Sequence, residues 1–536
     1  MGNRRGSPDV GNNRASARRS PAFRRRTAPW FWCGVFFFAS LAIDCGSPEP
    51  GILPRNELII GVPEANVASA EIGVRELINL FTLEGLTQVD VDGRALPHLA
   101  EKWTWEKDGL RLRLYLRRGV KFHDGTALGP EIAADLVREA IARPGNLALY
   151  PSLNDITEVR SDADQQLVID LSQTSALLPE DLQFPLVIRT GSQEIGTGPY
   201  RVAGRDAGQV VLEGFDEYHL GAPKIRRLVL SPFDTIRTAW ASLLRGDVDM
   251  VTDVPGEAVE FVRNDDVEVI SFARRYQFLV AFNSRRPPLN SSKVRKALNL
   301  AIDRDALIKN ILQGHGVPAK GPFWPKHWAY DNSVAPSSFD RTFAISLLEE
   351  AGFGPGDSGK ASEIPGARMR ITCLLPAEFN ILERIALDLQ KQLYEIGVDM
   401  QFQVVPIEEY DLRIRTGRFD AVLIDLISGP TLSRPYIFWR SGSRFQGLNV
   451  FGYENLEAER LFGLLRTATN EAAVRSAVSR LQRVLLDDPP ALFLAWNERT
   501  RAVRRDFQLV YEEDRDPLYT IWQWTENTDR DPVSTE

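Results

Sequence analysis

The stretch Leu96–Leu128 reads LPHLAEKWTWEKDGLRLRLYLRRGVKFHDGTAL. Trp103, Thr104 and Trp105 alternate in polarity, Lys107-Asp108-Gly109 supplies a turn, and Leu110, Leu112, Leu114 and Leu116 then alternate with arginine and tyrosine. Alternation of period two on both sides of turn residues predicts a β-hairpin with one buried face. Pro130 heads the segment Glu131–Ile141, a place suited to the first turn of a helix. Upstream, Leu58–Val62 is a short apolar run ended by Pro63, the pattern of a buried strand, and Val74, Leu77, Ile78 and Phe81 follow at helical spacing.

Downstream the chain alternates between the two kinds of element. Ser292 can cap a helix carrying Val294, Ala297, Leu298 and Ala301, and Asp303 can cap the next, which stops at Gly314. Leu382, Ile385, Ala386, Leu389 and Leu393 mark a longer amphipathic helix that stops at Gly397. Val398, Met400, Phe402 and Val404 then alternate as a strand. Helix, glycine, then strand is the connection of a mixed sheet, so the fold class is α/β or α+β. With 536 residues and no internal repeat, the chain has room for more than one core.

Composition removes several function classes. Hydrophobic residues make up 43% and charged residues 25%, which fits neither a disordered chain nor a multi-span membrane protein. The three cysteines, Cys33, Cys45 and Cys373, lack ligand spacing and are too few for a disulfide scaffold. Residues 1–44 hold eight arginines and two aspartates, so of 64 basic and 72 acidic residues, 56 and 70 fall in the body. A body of net charge −14 argues against nucleic-acid binding, which needs a basic face.

Arg24, Arg25 and Arg26 precede an apolar run from Ala28 to Ile43, nearer in length to a secretory core segment than to a bilayer span. Cys45 closes it and a Gly/Pro/Ser tether follows. Residues 1–44 therefore read as a leader and 45–54 as a tether, in the pattern of a bacterial lipoprotein signal with Cys45 as the lipidated residue. Asp44, just before the cysteine, departs from that pattern, and an uncleaved anchor is the alternative.

The search for catalysis finds little. Gly354–Ala361 nearly spells a phosphate-binding loop, but Ala361 replaces the magnesium-ligating hydroxyl and a helix precedes it where a strand is needed. No glycine-flanked nucleophilic serine is present. The histidines, His98, His123, His219, His315 and His327, are scattered, and no two have the spacing of ligands on one helix face. Cys373 opens an apolar stretch and reads as core. Neither a metal site nor a cofactor is expected, and the chain reads as a non-enzyme.

Six segments in order resemble the family 5 bacterial extracellular solute-binding proteins, the oligopeptide, dipeptide and nickel receptors of ABC importers. They are Leu96–Leu128, GTGPYRV at Gly196–Val202, EYHLGAPKIRRLVL at Glu217–Leu230, ASLLRGDVDM at Ala241–Met250, Val280–Gly316, and AGFGPG at Ala351–Gly356. The resemblance implies a bilobal periplasmic-binding-protein fold (class II, cluster C type) with a subdomain inserted in the first lobe. Carried onto this chain, the first lobe is 55–84, 193–278 and 492–536, the insertion is 85–192, and the second lobe is 279–491. Crossovers are expected near Phe278-Leu279-Val280 and Leu492-Phe493-Leu494. The implied function is capture of a peptide or peptide-like solute between the lobes and its delivery to a membrane permease. The implied protein is an exported monomer, periplasmic or on the outer face of the cell membrane, lipid-anchored through Cys45. A sensory receptor using the same cleft and an exported hydrolase are the alternatives.

The resemblance places the ligand among Glu64, Asn283, Ser428, Thr431, Arg434 and Trp496. Peptide-binding relatives carry an aspartate four residues before the proline of the loop Ile424–Trp439, where this chain has Thr431, and commonly another just before it, where this chain has Arg434. Losing the carboxylate removes a charge-assisted bond to a peptide ammonium, and Arg434 would favour an anionic group if it faces the cleft. Trp439 and Trp496 could stack a ligand or fill the lobe core.

Overall fold

The computed structural model describes residues 56–63, 70–162, 164–191, 193–206, 208–334, 339–354, 367–377, 379–441 and 448–528. The leader with Cys45, residue Glu64 and the phosphate-loop-like stretch 355–361 lie outside them. No helix among the described residues is long and apolar enough to cross a membrane.

The hairpin forms as the alternation predicts. Ala100–Glu106 pairs antiparallel with Arg111–Leu116, and Gly109 turns the chain at φ +88°. Leu112, Leu114 and Leu116 are at most 1% exposed, each worth about 1.5–3 kcal/mol when buried. The partner strand differs from the expectation. Trp105, opposite Leu112, is exposed because its strand is the edge of a four-stranded sheet completed by Gln166–Leu171 and Ile156–Asp162. Helix Pro130–Ile141, with its proline in the first turn, covers the buried face through Ala133, Val137 and Ala140.

The other sheet has 11 strands among the described residues. At one end Glu57–Pro63 lies parallel to Arg227–Phe233 and to Met250–Val251. At the other, Met369–Pro376 lies parallel to Val398–Val405 and to Ala421–Ile427. Between them run two long antiparallel strands, Val267–Phe282 and Ala491–Arg504. Each half of the sheet has a core on both faces. Leu58, Ile60 and Met250 belong to one core of the first half, and Phe278, Leu389 and Leu494 to one of the second.

The long strands do not pair evenly. Ala273 pairs with Glu498 and Gln277 with Trp496, so three residues stand opposite Asn497 alone, and the register slips again between Phe278 and Leu279. The expected crossover segments 278–280 and 492–494 are fully packed, at 2% exposure or less, within the cores of the second half. The interruption falls just before the first of these segments and just after the second.

Helix ends follow local chemistry. Asp303 Oδ1 accepts the Ala306 amide at 2.9 Å, whereas Ser292 sits inside its helix, behind Ser291. Helix Asn380–Tyr394 runs to Gly397 at φ +77°, where a Cβ would stand 2.9 Å from Arg368 Cγ.

Candidate functional site

A cavity of about 270 Å³ opens where the two halves of the large sheet meet at the interrupted strands. The first half contributes Val62, Leu77 and Asp253, and the turn after the strand Thr87–Val89 contributes Asp90 and Val91. The second half contributes Trp324, Ile427 and Pro430, and the long strand contributes Trp496 and Arg499.

Its aromatic wall is Trp496 against Trp324, edge to face at 5.1 Å between ring centroids. The Trp324 indole N–H donates to the Val91 carbonyl at 3.0 Å, which fixes that ring. Trp496 is 1% exposed, and its Nε1 has no hydrogen-bond partner among the described residues. A buried indole N–H normally finds an acceptor, and this one stands without one beside the cavity.

The charged wall is built from arginines with different commitments. Arg501 forks onto Asp516, donates to the Thr252 carbonyl at 3.0 Å and lies 5.0 Å from the Phe272 ring. Arg515 donates to Gln88 at 3.0 Å and to Glu512 at 2.9 Å. Arg499, half-buried, has a buried Nε with no partner and no ion pair among the described residues. Among the described residues of this wall it is the arginine without an ion pair.

The loop after Ala421–Ile427 is tied to the 85–192 segment. Glu180 Oε1 accepts the Ser433 amide at 2.8 Å, and the Ser433 hydroxyl lies 2.8 Å from that oxygen and 2.7 Å from Asp181 Oδ1. Asp181 also accepts the Ser152 amide at 2.9 Å. Burial pushes both carboxyls up, and for Glu180 the neighbouring Asp181 charge adds to the rise. Nearby, Gly93 (φ +84°) packs so closely that a Cβ would meet His327 Cδ2 at 2.2 Å and the Pro430 carbonyl at 2.5 Å. A buried ion pair between Asp155 and Arg466, at 2.6 Å, joins the same two parts of the chain.

The residues singled out in the sequence are distributed unevenly about this cavity. Trp496 lines it. Ser428 and Thr431 flank Gly429-Pro430, which line it, while both are themselves buried beside the wall. The Ser428 hydroxyl donates to Gln277 at 3.5 Å. Asn283 is spent on the backbone, its amide donating to the carbonyls of Phe419 at 2.9 Å and Gly417 at 3.3 Å. Arg434 turns to the 85–192 segment instead, donating to the Leu149 carbonyl at 3.5 Å with its guanidinium 5.9 Å from the Tyr150 ring. Trp439 stacks on Phe451 at 5.6 Å in the core. Glu64 lies outside the described residues.

Sequence reading missed Arg499, Trp324 and the Arg501–Asp516 pair. Alternation along ALFLAWNERTRAVR would put Trp496 and Arg499 on opposite faces. The uneven pairing opposite Asn497 lets both line one cavity, and no sequence pattern announces it.

Residues 94–447 match the family described as bacterial extracellular solute-binding proteins, family 5. The oligopeptide-binding protein AppA of Bacillus subtilis is 22% identical over 463 residues, covering 82% of this chain and 85% of its own. Its structure with a nonapeptide has a TM-score of 0.72 at 21% identity, covering 89% of this chain and all of that one. The dipeptide-binding protein of Escherichia coli is 25% identical over 452 residues, 77% of this chain and 82% of its own. NikZ of Campylobacter jejuni, solved with Ni(L-His), has a TM-score of 0.74 at 22% identity, over 88% of this chain and all of that one. The chain therefore belongs to the family 5 bacterial extracellular solute-binding proteins and has their α/β periplasmic-binding-protein fold.

Proposed function

We propose that this chain is the solute receptor of an ABC importer, exported and held at the membrane through Cys45, which captures a short peptide or peptide-like solute and hands it to a permease. The observation that carries this reading is the cavity between two separately cored halves joined by two strands whose pairing is interrupted beside it. A hinge needs few residues to absorb closure while the bodies stay rigid. We place it at Ala273–Gln277 and Trp496–Glu498. Crossovers at 278–280 and 492–494 would have to deform packed core.

The ligand lies against Trp496 and presents an anionic group to Arg499. This assigns to Arg499 the part that sequence reading gave to Arg434. A cavity of about 270 Å³, just below the ~300–1,000 Å³ range of ligand pockets, supports a solute of a few residues rather than a long peptide. The relatives named for oligopeptides and dipeptides support the peptide class. With Thr431 in place of the expected aspartate, backbone contacts carry more of the recognition.

Calorimetric titration of the mature chain with a panel of di- to pentapeptides tests the reading. Binding by short members, weakened about tenfold to a hundredfold in Arg499→Ala, is expected from loss of one charge-assisted bond. Binding that is unchanged when the peptide carboxylate is amidated contradicts the role given to Arg499.

A further inference from the structure

Three side chains far apart in sequence meet at the junction between the 85–192 segment and the first half of the large sheet. They are Glu84 and His98, on the two sides of the strand Thr87–Val89, and His219, in the turn before Arg227–Phe233. Glu84 Oε1 is 3.0 Å from His98 Nε2, and Glu84 Oε2 is 3.1 Å from His219 Nε2. One donor atom from each lies within 4.8 Å of the others. None of the three lines the solute cavity. The scattered histidines that gave no ligand spacing in sequence are thus brought together by the fold.

The charge of Glu84 needs an answer. Its side chain is 4% exposed, and no lysine or arginine pairs with it among the described residues. A buried carboxylate is stable only when a cation or a full set of donors compensates it. The hydroxyls of Thr197 and Tyr218 donate to its two oxygens at 2.7 and 2.8 Å, and the imidazoles of His98 and His219, at 3.0 and 3.1 Å, are its remaining partners. Two imidazoles and one carboxylate are the donor set of zinc and its neighbours among divalent transition metals. Bond lengths of about 2.0–2.2 Å from a shared ion separate tetrahedral ligand atoms by roughly 3.3–3.5 Å. Measured to one oxygen, Glu84 Oε1, the separations are 3.0 Å to His98 Nε2 and 3.3 Å to His219 Nε2, within a few tenths of an ångström of that.

The surroundings suit ligation. His219 Nδ1 is buried and has no hydrogen-bond partner among the described residues, so the proton would move there as the Nε2 contact with Glu84 gives way to the ion. The His98 side chain is 18% exposed, which leaves solvent a route to a fourth, open position. The hydroxyls of Thr197 and Tyr218 supply the outer hydrogen bonds that hold a ligating carboxylate in place.

We propose that Glu84, His98 and His219 form a resident site for one divalent transition-metal ion of the zinc class. It clips the 85–192 segment to the first half of the sheet and is separate from solute capture.

The test uses the mature chain, stripped with a chelator and dialysed, with zinc as the probe. Metal content is read by inductively coupled plasma mass spectrometry and stability by thermal melting, with magnesium as the control. One equivalent of zinc and a melting temperature raised by about 2 °C or more at saturation are expected, with magnesium inert. His98→Ala, a change at the partly exposed ligand, should weaken zinc binding at least tenfold while peptide titration remains as in the parent. A zinc-edge anomalous peak between the three side chains in crystals of the loaded chain would agree. Failure to retain zinc, or equal retention by His98→Ala, overturns the site. Because peptide binding is measured separately, neither result bears on solute capture.

Discussion

Glu180 and Asp181 sit side by side, both fully enclosed between the 85–192 segment and the second half of the molecule. Burial raises both, the Asp181 charge raises Glu180 further, and hydrogen bonds from Ser152 and Ser433 and then the Arg434 charge counteract the rise at Asp181. A raised carboxyl binds its proton more tightly in the packed state than in the separated one. Its contribution is complete below the ordinary carboxylate range and is lost as pH rises through the raised value. The contact at Ser433 should therefore weaken on going from pH 5 to pH 8, and hydrogen exchange of the Leu432 and Ser433 amides should speed up beyond its intrinsic pH trend. Glu180→Gln should flatten that excess, and a steeper excess would refute the assignment. At this scale the sequence was least informative. Arg434 and Asn283 drew attention by type and position, but their direction is set by Tyr150, Leu149 and Phe419, which come from distant segments. Trp496 and Trp439 were alike in sequence, each a possible stacking ring or core residue, and only the fold puts Trp496 on the cavity and Trp439 in the core.

Among the elements, those with strong periodicity were legible. Leu112, Leu114 and Leu116 define the hairpin, and Leu382 through Leu393 define the helix that ends before Gly397, because each pattern reports one buried face directly. The edge position of Trp105 and the uneven pairing opposite Asn497 were not legible, since both depend on which strands become neighbours. Gly397 makes a quantitative point. At φ +77°, with Arg368 against the missing Cβ, Gly397→Ala should cost about 1–2 kcal/mol, read as a lower urea midpoint at unchanged slope. Leu389, fully buried in the core of the second half, should cost about 2–5 kcal/mol as Leu389→Ala by the same measurement. Neither change touches the cavity, so peptide affinity at saturation of the folded protein should be retained.

At the scale of the whole molecule, two cored halves share one sheet, and the 85–192 segment, with a four-stranded sheet of its own, is tied to the second half. The tie is held by Asp155–Arg466, by Glu180 and Asp181 on Ser433, and by the close approach of Gly93 to His327 and Pro430. Gly93→Ala forces these surfaces apart, since a Cβ there would overlap both His327 and backbone. Solute affinity should fall through a loss of closure while Trp496 and Arg499 stay in place. Small-angle scattering would then find the variant more expanded than the parent in the presence of solute, and an equally compact variant would contradict this. The order of the six matching segments made the family legible because architecture depends on many positions at once. The ligand was not legible, because it depends on a few side chains whose company the fold decides.

The central claim is that a small solute is held between the halves against Trp496 and Arg499. Native mass spectrometry of the chain, isolated from its own host without denaturation, tests it most directly. The account predicts a bound species with the mass of a short peptide or similar anionic solute, carried by the parent and lost from Arg499→Ala. A solute retained equally by that variant, or a chain that arrives empty and takes up no peptide from the panel, would contradict it.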